Sequence, residues 1–328
     1  MSEIIGRQLE FGVGVEETRG TTSPSPVWIR NISANVLEKA EHAQDESVRG
    51  VFEDGDGRRV VKKHIEGDVE MNCFANVFGY FAYNLYGGVT STLVAGSVYD
   101  HVFEMEQSSI APSLSLFAKD GDVQQLAFKN AHVNTLELSA TTDDYVKVNV
   151  GFIGKEAAND TSAPSYDTDY DFIGRDITIK VADTEGGLAG AAALCVSEVT
   201  LNWDKGLLLK HCLGAYVPND IYRSKMSIEG SINKTMIDEA YKDLFLGDIA
   251  KYVQITIEGE TPIASAHKPT IKITLHKVMF NGWDRSGGKD ELVTEDIEFK
   301  AYYNASDNKG SKLEVRNTTD EYEPVVSV

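Results

Sequence analysis

The stretch FGVGVEETRGTTSPSPVWI, Phe11 to Ile29, has glycines placed where a phosphate could be cradled. In a G-x-G-x-x-G turn the glycines let main-chain N–H groups approach a pyrophosphate at the mouth of a helix. Gly12 and Gly14 fit that spacing, but the third position is Glu17. No Gly-Lys-Ser/Thr follows, and Thr21, Thr22, Ser23 and Pro24 are a poor helix start. Glu16 and Glu17 would repel a phosphate, so a nucleotide site is excluded. The acidic runs EDGDG, Glu53 to Gly57, and DTDYD, Asp167 to Asp171, suggest calcium. An EF-hand loop needs glycine sixth and glutamate twelfth. Counting from Asp54 gives Arg59 and Ile65, and from Asp167 gives Phe172 and Thr178. Asp54-Gly55 and Asp56-Gly57 are therefore read as turn residues in a solvated loop.

The histidines, His42, His64, His101, His132, His211, His267 and His276, have no metal-binding spacing within one element, and most are expected at the surface or at strand ends. Cys73, Cys195 and Cys212 lack the spacing of a zinc knuckle or redox pair. No G-x-S-x-G elbow is present and no nucleophile can be named. The sequence thus points away from an enzyme and implies neither metal nor cofactor. Basic and aromatic residues interleave in GLLLKHCLGAYVPNDIYRSKM, with Lys210, His211, Tyr216, Tyr222, Arg223 and Lys225, but a formal charge of −20 opposes a nucleic-acid platform. That segment is read as a loop leading into a strand.

The elements that carry these residues are mostly strands. HIEGDVEM, NTLELSA, YVKVNVGF, SEVTLNWD, SKMSIEGSI, YVQITIEGE, TIKITLHKV and EDIEFKAYY alternate with period two and are rich in β-branched or aromatic residues. In Lys63 to Met71, Ile65, Gly67, Val69 and Met71 take one face, and His64, Glu66, Asp68 and Glu70 the wet one. Two stretches read as helices. ANVFGYFAYNLYGG has Val77, Phe78, Phe81 and Leu85 on one stripe, and IDEAYKDLFLGD has Ala240, Tyr241, Leu244 and Phe245. Each follows an Ile-Glu-Gly strand, at Ile65 and at Ile228, and each is followed by a strand and a long strand pair. The pattern predicts a mainly β chain built as a duplicated antiparallel β-sandwich, each copy with one short packed helix. Between the copies Gly154 to Phe172 is rich in Ala, Ser, Asp and Pro and reads as a linker. No window is apolar enough for a membrane span, and Met1 to Glu10 does not read as a signal peptide, which predicts a cytoplasmic site of synthesis.

With these features in place, the sequence resembles the major tail tube proteins of long, flexible-tailed bacteriophages. The resemblance rests on GVGVEETRGTT followed by PVWI, on IEGDVEM before FGYFAYNLYGG, and on SLSLFAKDG and AHVNTLELSATTDDYVKVNVGFIGKE. It covers Gly12 to Glu156 and becomes diffuse beyond. Together with the internal repeat it gives the expected division: an N-terminal arm over 1–26, a first tube-like β-sandwich over 27–156, a linker over 157–171, a second sandwich over 172–305, and a C-terminal strand and tail over 306–328.

The resemblance also implies a structural virion protein that assembles with itself into stacked rings, a hollow tail through which DNA leaves the capsid. Tape-measure, tail-tip and tail-terminator proteins are the implied partners, with assembly in the host cytoplasm, no membrane, and DNA passing without specific binding. A duplicated chain would close the ring as a pseudo-hexameric trimer, and a hexamer is the alternative. Carboxylates lining the channel would repel phosphates. The wet-face residues Glu66, Asp68, Glu70, Glu137, Glu198, Glu229 and Glu295 are the expected lumen set. Gly14, Glu16, Arg19 and Thr21 of the arm, with Arg49, Glu53, Asp54 and Arg58 of the long loop, are the expected ring contacts. The rival reading is a carbohydrate- or receptor-binding β-sandwich on a virion or cell surface, with Trp28, Trp203 and Trp283 as candidate binding aromatics. Of these, Trp203 alternates with Val199 and Leu201 and reads as core.

Overall fold

The computed structural model describes residues 3–324, apart from 49, 54, 56 and 167, and describes residue 31 by its backbone only. The chain is mainly β, as its alternation predicts. The first part holds β1 (Leu9–Val15), β2 (Val27–Ile29), β3 (Asn31–Gln44), β4 (Arg58–Asn72), helix α1 (Ala75–Tyr86), β5 (Gly87–Ala95), β6 (Val98–Met105), β7 (Leu114–Asp120), β8 (Gln124–Thr141), β9 (Lys147–Gly154) and β10 (Glu156–Asn159). After a segment without strands come β11 (Ile177–Ala182), β12 (Val196–Asp204), β13 (Leu207–Lys210), β14 (Asp220–Arg223), β15 (Ser227–Thr235), helix α2 (Ala240–Leu246), β16 (Lys251–Glu258), β17 (Thr270–Ser286), β18 (Thr294–Ala301) and β19 (Ser311–Asn317).

One antiparallel sheet runs in the order β3-β4-β9-β8-β12-β15-β18-β17. Its second run of four strands repeats the order of the first. The irregularities repeat too. The bulge between Asn31 and Ser33 of β3 returns between Val196 and Glu198 of β12, and that between Val133 and Thr135 of β8 returns between Phe280 and Gly282 of β17. A bulge adds one residue and bends its strand. Beyond these bends the first halves of β8 and β17 leave for a second layer. There β8 joins β7 and β10, with β1 and β2 beyond β7, while β17 joins β16 and β19, with β11 beyond β16 and β6 and β5 beyond β19. The two parts therefore interlock twice, through β8–β12 and through β6–β19.

The repeated Ile-Glu-Gly has a steric cause. A Cβ on Gly67 would lie 2.1 Å from the Asn35 carbonyl oxygen, and one on Gly230 would lie 2.5 Å from the Phe299 ring and 2.6 Å from the Thr200 carbonyl oxygen. Both glycines let a neighbouring strand come close. Side chains from the inner faces of both layers, including Phe11, Leu136, Phe152, Trp203, Ile255, Ile273 and Phe299, form the core.

Helix α1 ends where the sequence places its stop, at Gly87 with φ 93°, a value that favours glycine. It is buried along most of its length because core lies on several sides. Helix α2 is only seven residues long, and of its expected stripe only Tyr241 is buried. The opening glycines serve packing. β1 lies between β2 and β7 with Phe11 and Val13 fully buried, so residues 9–15 are a sheet strand where an arm was expected. A Cβ on Gly14 would fall 2.5 Å from the Ser23 hydroxyl, and one on Gly12 would meet the Trp28 ring at 3.2 Å.

Candidate functional site

Residues directly opposite one another in a sheet point to the same side. Glu70 is opposite Asn149, Asn149 opposite Glu137, Glu137 opposite Asn202, and Asn202 opposite Glu229. These carboxylates recur on every second strand, roughly 10 Å apart. Glu66 and Asp68 share the face by alternation along β4, and Glu198 shares it through Asn233, which is opposite Asp296. Glu66, Asp68, Glu137, Glu198 and Glu229 are exposed and Glu70 is half-buried. The other face of the same strands carries Ile65, Val69, Leu136, Leu138, Val150, Leu201, Ile228 and Ile297, all in the core. The result is an open acidic wall. Of its cations, Lys147 is paired with Asp144 and Lys300 with Glu229.

Glu295 departs from the sequence expectation. It alternates with Ile297 and Phe299 on the core side, is 0% exposed, and pairs with Lys234 Nζ at 2.5 Å while accepting from Trp283 Nε1 at 2.8 Å. A shift of one residue inverts the face of a strand, and the wall acids of β18 are instead Asp296 and Glu298, both exposed.

The residues grouped as ring contacts separate. Glu16 is buried, and its carboxylate accepts from the Ser113 and Ser115 hydroxyls and from the Asn130 and Gly20 N–H groups at 2.6–3.0 Å. Arg19 donates to the Ala111 carbonyl at 2.7 Å and the Ile221 carbonyl at 2.5 Å, and pairs with Asp220 at 2.8 Å. Both residues therefore have partners within the chain, as follows from the pairing of β1 into the sheet. The Thr21 N–H closes a turn onto the Thr18 carbonyl, and Gly14 packs on Ser23. Glu53 and Arg58 are exposed in the β3–β4 hairpin, near exposed Val48, Val51 and Phe52. Arg49 and Asp54 lie outside the described residues.

Sequence reasoning missed the way α1 is held. At its start the Asn76 and Val77 N–H groups donate to the Asp169 carboxylate, which stands in the expected linker. Burial pushes this carboxyl up, against the hydrogen bonds from Asn76, Tyr170 and Val77 that favour its charged form. At its end Lys205 donates to the Asn84 carbonyl and Arg223 to the Tyr86 carbonyl. Asp169 at the N-terminus and Arg223 at the C-terminus complement the helix dipole, while Lys205 satisfies a last-turn carbonyl by hydrogen bonding. Burial, then the charges of Arg223 and Arg19, hold the Lys205 amine well below the usual lysine range. Burial, then Lys205 and Arg19, likewise hold His132 well below the usual histidine range. Lys205, and Arg223 of the basic and aromatic segment that follows it, thus tie the second part to the first. His101, His132 and His276 are buried, where surface positions were expected for most histidines. Each has a hydrogen-bonding partner distant in sequence, Asn317 for His101, Arg19 for His132 and Asp307 for His276, which leaves no local signal.

Among the described residues no group of three or more His, Cys, Asp or Glu side chains could hold a metal ion. Among the described residues no helix is long and apolar enough to cross a membrane. A family model described as phage tail tube protein matches residues 6–301, most of the chain, and the chain belongs to that family. The family is structural and is not an enzyme family. No curated protein matches the chain.

Proposed function

We propose that this member of the phage tail tube family assembles with itself into stacked rings whose inner surface is the acidic wall, forming the conduit through which DNA leaves the virion. The observation that carries the reading is the wall itself: a sheet with an apolar inner face, an acidic open face, and an edge strand at each end. Pairing those edges around a ring would remove them, which is how closed sheets avoid non-specific association. Carboxylates spaced across the wall would keep a duplex from sticking while it moves.

The repeated strand order and bulges support a duplicated sandwich, with the segment over 157–171 joining its halves. A chain carrying two such units closes a pseudo-hexameric ring with three copies. The β3–β4 hairpin, with Val48, Val51 and Phe52 exposed near its tip, is the segment suited to bridge rings. Tape-measure, tail-tip and tail-terminator proteins are the partners such a tube requires, and assembly would take place in the host cytoplasm. Electron microscopy of the purified protein, alone and with an assembly initiator, tests the reading. Hollow tubes with threefold rings are expected, and a strict monomer under every condition would overturn it.

A further inference from the structure

The ring must close at particular atoms, and the chain contains its own template for the joint. Inside the chain, the edge of the first strand run meets the second through β8 and β12, with Leu136 opposite Trp203, Glu137 opposite Asn202 and Leu138 opposite Leu201. The counterpart edges are free among the described residues: the last part of β17 pairs only with β18, and β3 over residues 34–39 only with β4. Matching the repeated bulges and the Ile-Glu-Gly register sets Leu136 on Trp283, Glu137 on Asp284 and Leu138 on Arg285. It sets Trp203 on Glu38, Asn202 on Leu37 and Leu201 on Val36.

Resting on the tube reading, we propose that the β17 edge of one copy pairs antiparallel with the β3 edge of the next, with Trp283 opposite Glu38, Asp284 opposite Leu37 and Arg285 opposite Val36, and that this joint is keyed by charge. Arg285 and Glu38 then lie diagonally on one face, and Asp284 and Lys39 diagonally on the other, within reach of long side chains. Arg285, Asp284 and Lys39 have no ion-pair partner within the described chain, and Glu38 has only half-buried Lys63 at 3.6 Å. A slip of one residue that brings Asp284 opposite Glu38 sets like charges against each other. The joint inside the chain is apolar on its core face, with Leu136, Leu138, Leu201 and Trp203, and lies within one chain, whereas the joint between copies carries charges on both faces and is sensitive to salt.

Disulfide trapping tests this pairing. In a background with Cys195→Ser and Cys212→Ser, Ser286→Cys with Asn35→Cys should cross-link neighbouring copies under mild oxidation. Within one chain the two edges are separated by the full width of the sheet, on the order of 30 Å at the spacing of neighbouring strands, so the product can form only between copies. A ladder ending at the trimer is expected. Ser286→Cys with Leu37→Cys, a two-residue slip, should cross-link at least tenfold less. Tubes that form with no cross-link between positions 286 and 35, or that favour the slipped pair, overturn the register and leave the tube reading standing. A ladder ending at six keeps the edge pairing and refutes the trimer. Should the cysteine variants fail to assemble, Glu38→Arg provides the second test. It should reduce tube yield at low salt, and the double variant Glu38→Arg with Arg285→Glu should restore it. Equal yields from the single variant, the double variant and the unmodified chain refute the charge key.

Discussion

Lys205 donates to the main-chain carbonyl of Asn84 at 2.5 Å and to its side-chain amide oxygen at 3.0 Å, so a lysine from the second strand run closes a helix of the first. The amine is fully buried, and its surroundings disfavour its charge. In the unfolded chain it titrates near the usual value of about 10.4. Between its depressed folded value and that value the unfolded state binds the extra proton, so stability rises with pH across that window. Denaturant titrations at pH 7 and pH 9 should show the unmodified protein gaining on a Lys205→Met variant by up to about 1.4 kcal/mol per pH unit. A constant difference would mean that the buried amine remains charged.

Glu16 should matter more to folding than its place near the chain start suggests. Removing a carboxylate that satisfies several buried donors leaves them unpaired. Glu16→Ala is expected to cost about 3 kcal/mol or more by chemical denaturation, and Glu16→Gln distinctly less. A cost below about 1 kcal/mol would show that the buried network rearranges freely.

The wall acids should be dispensable for folding and needed in transit. Glu66→Lys, Asp68→Lys and Glu137→Lys together change exposed positions, where substitutions usually cost within about 0.5 kcal/mol each. Tubes should assemble, while DNA ejection slows at low salt and recovers partly as salt rises. Normal ejection at low salt would place this face outside the channel.

Ring stacking can be separated from ring closure. Val51→Ser with Phe52→Ser removes exposed apolar surface from the hairpin tip and leaves both sheet edges untouched. Isolated rings, or tubes markedly shortened in micrographs, are expected. Full-length tubes from this variant would assign stacking to another segment.

Much of the fold was legible because strand alternation and glycine stops are local signals. HIEGDVEM announced β4 with Ile65, Val69 and Met71 inward, and Gly87 marked the end of α1. Six of the acids named from sequence do share the open face. Glu295 was misplaced because a run such as TEDIEF contains acids of both parities, and only the apolar partners Ile297 and Phe299 fix the inward set. Glu16 and Arg19 resembled residues of a free arm because their partners, Ser113, Asn130 and Asp220, lie roughly 100 to 200 positions away. The helix caps Asp169 and Lys205 were hidden for the same reason.

The capping of α1 from a distance also bears on how the chain reaches its native state. The Tyr83 and Tyr86 carbonyls find Gly87 and Glu106 N–H donors nearby, but the Asn84 carbonyl waits for Lys205, which follows it by 121 residues, and Arg223 reaches Tyr86 later still. During synthesis the first strand run emerges with the Asn84 carbonyl lacking its lysine and with the edge of β8 bare until β12 arrives. The repeat therefore does not produce two independent folding units. A single cooperative unfolding transition is expected, with refolding slowed by these distant contacts.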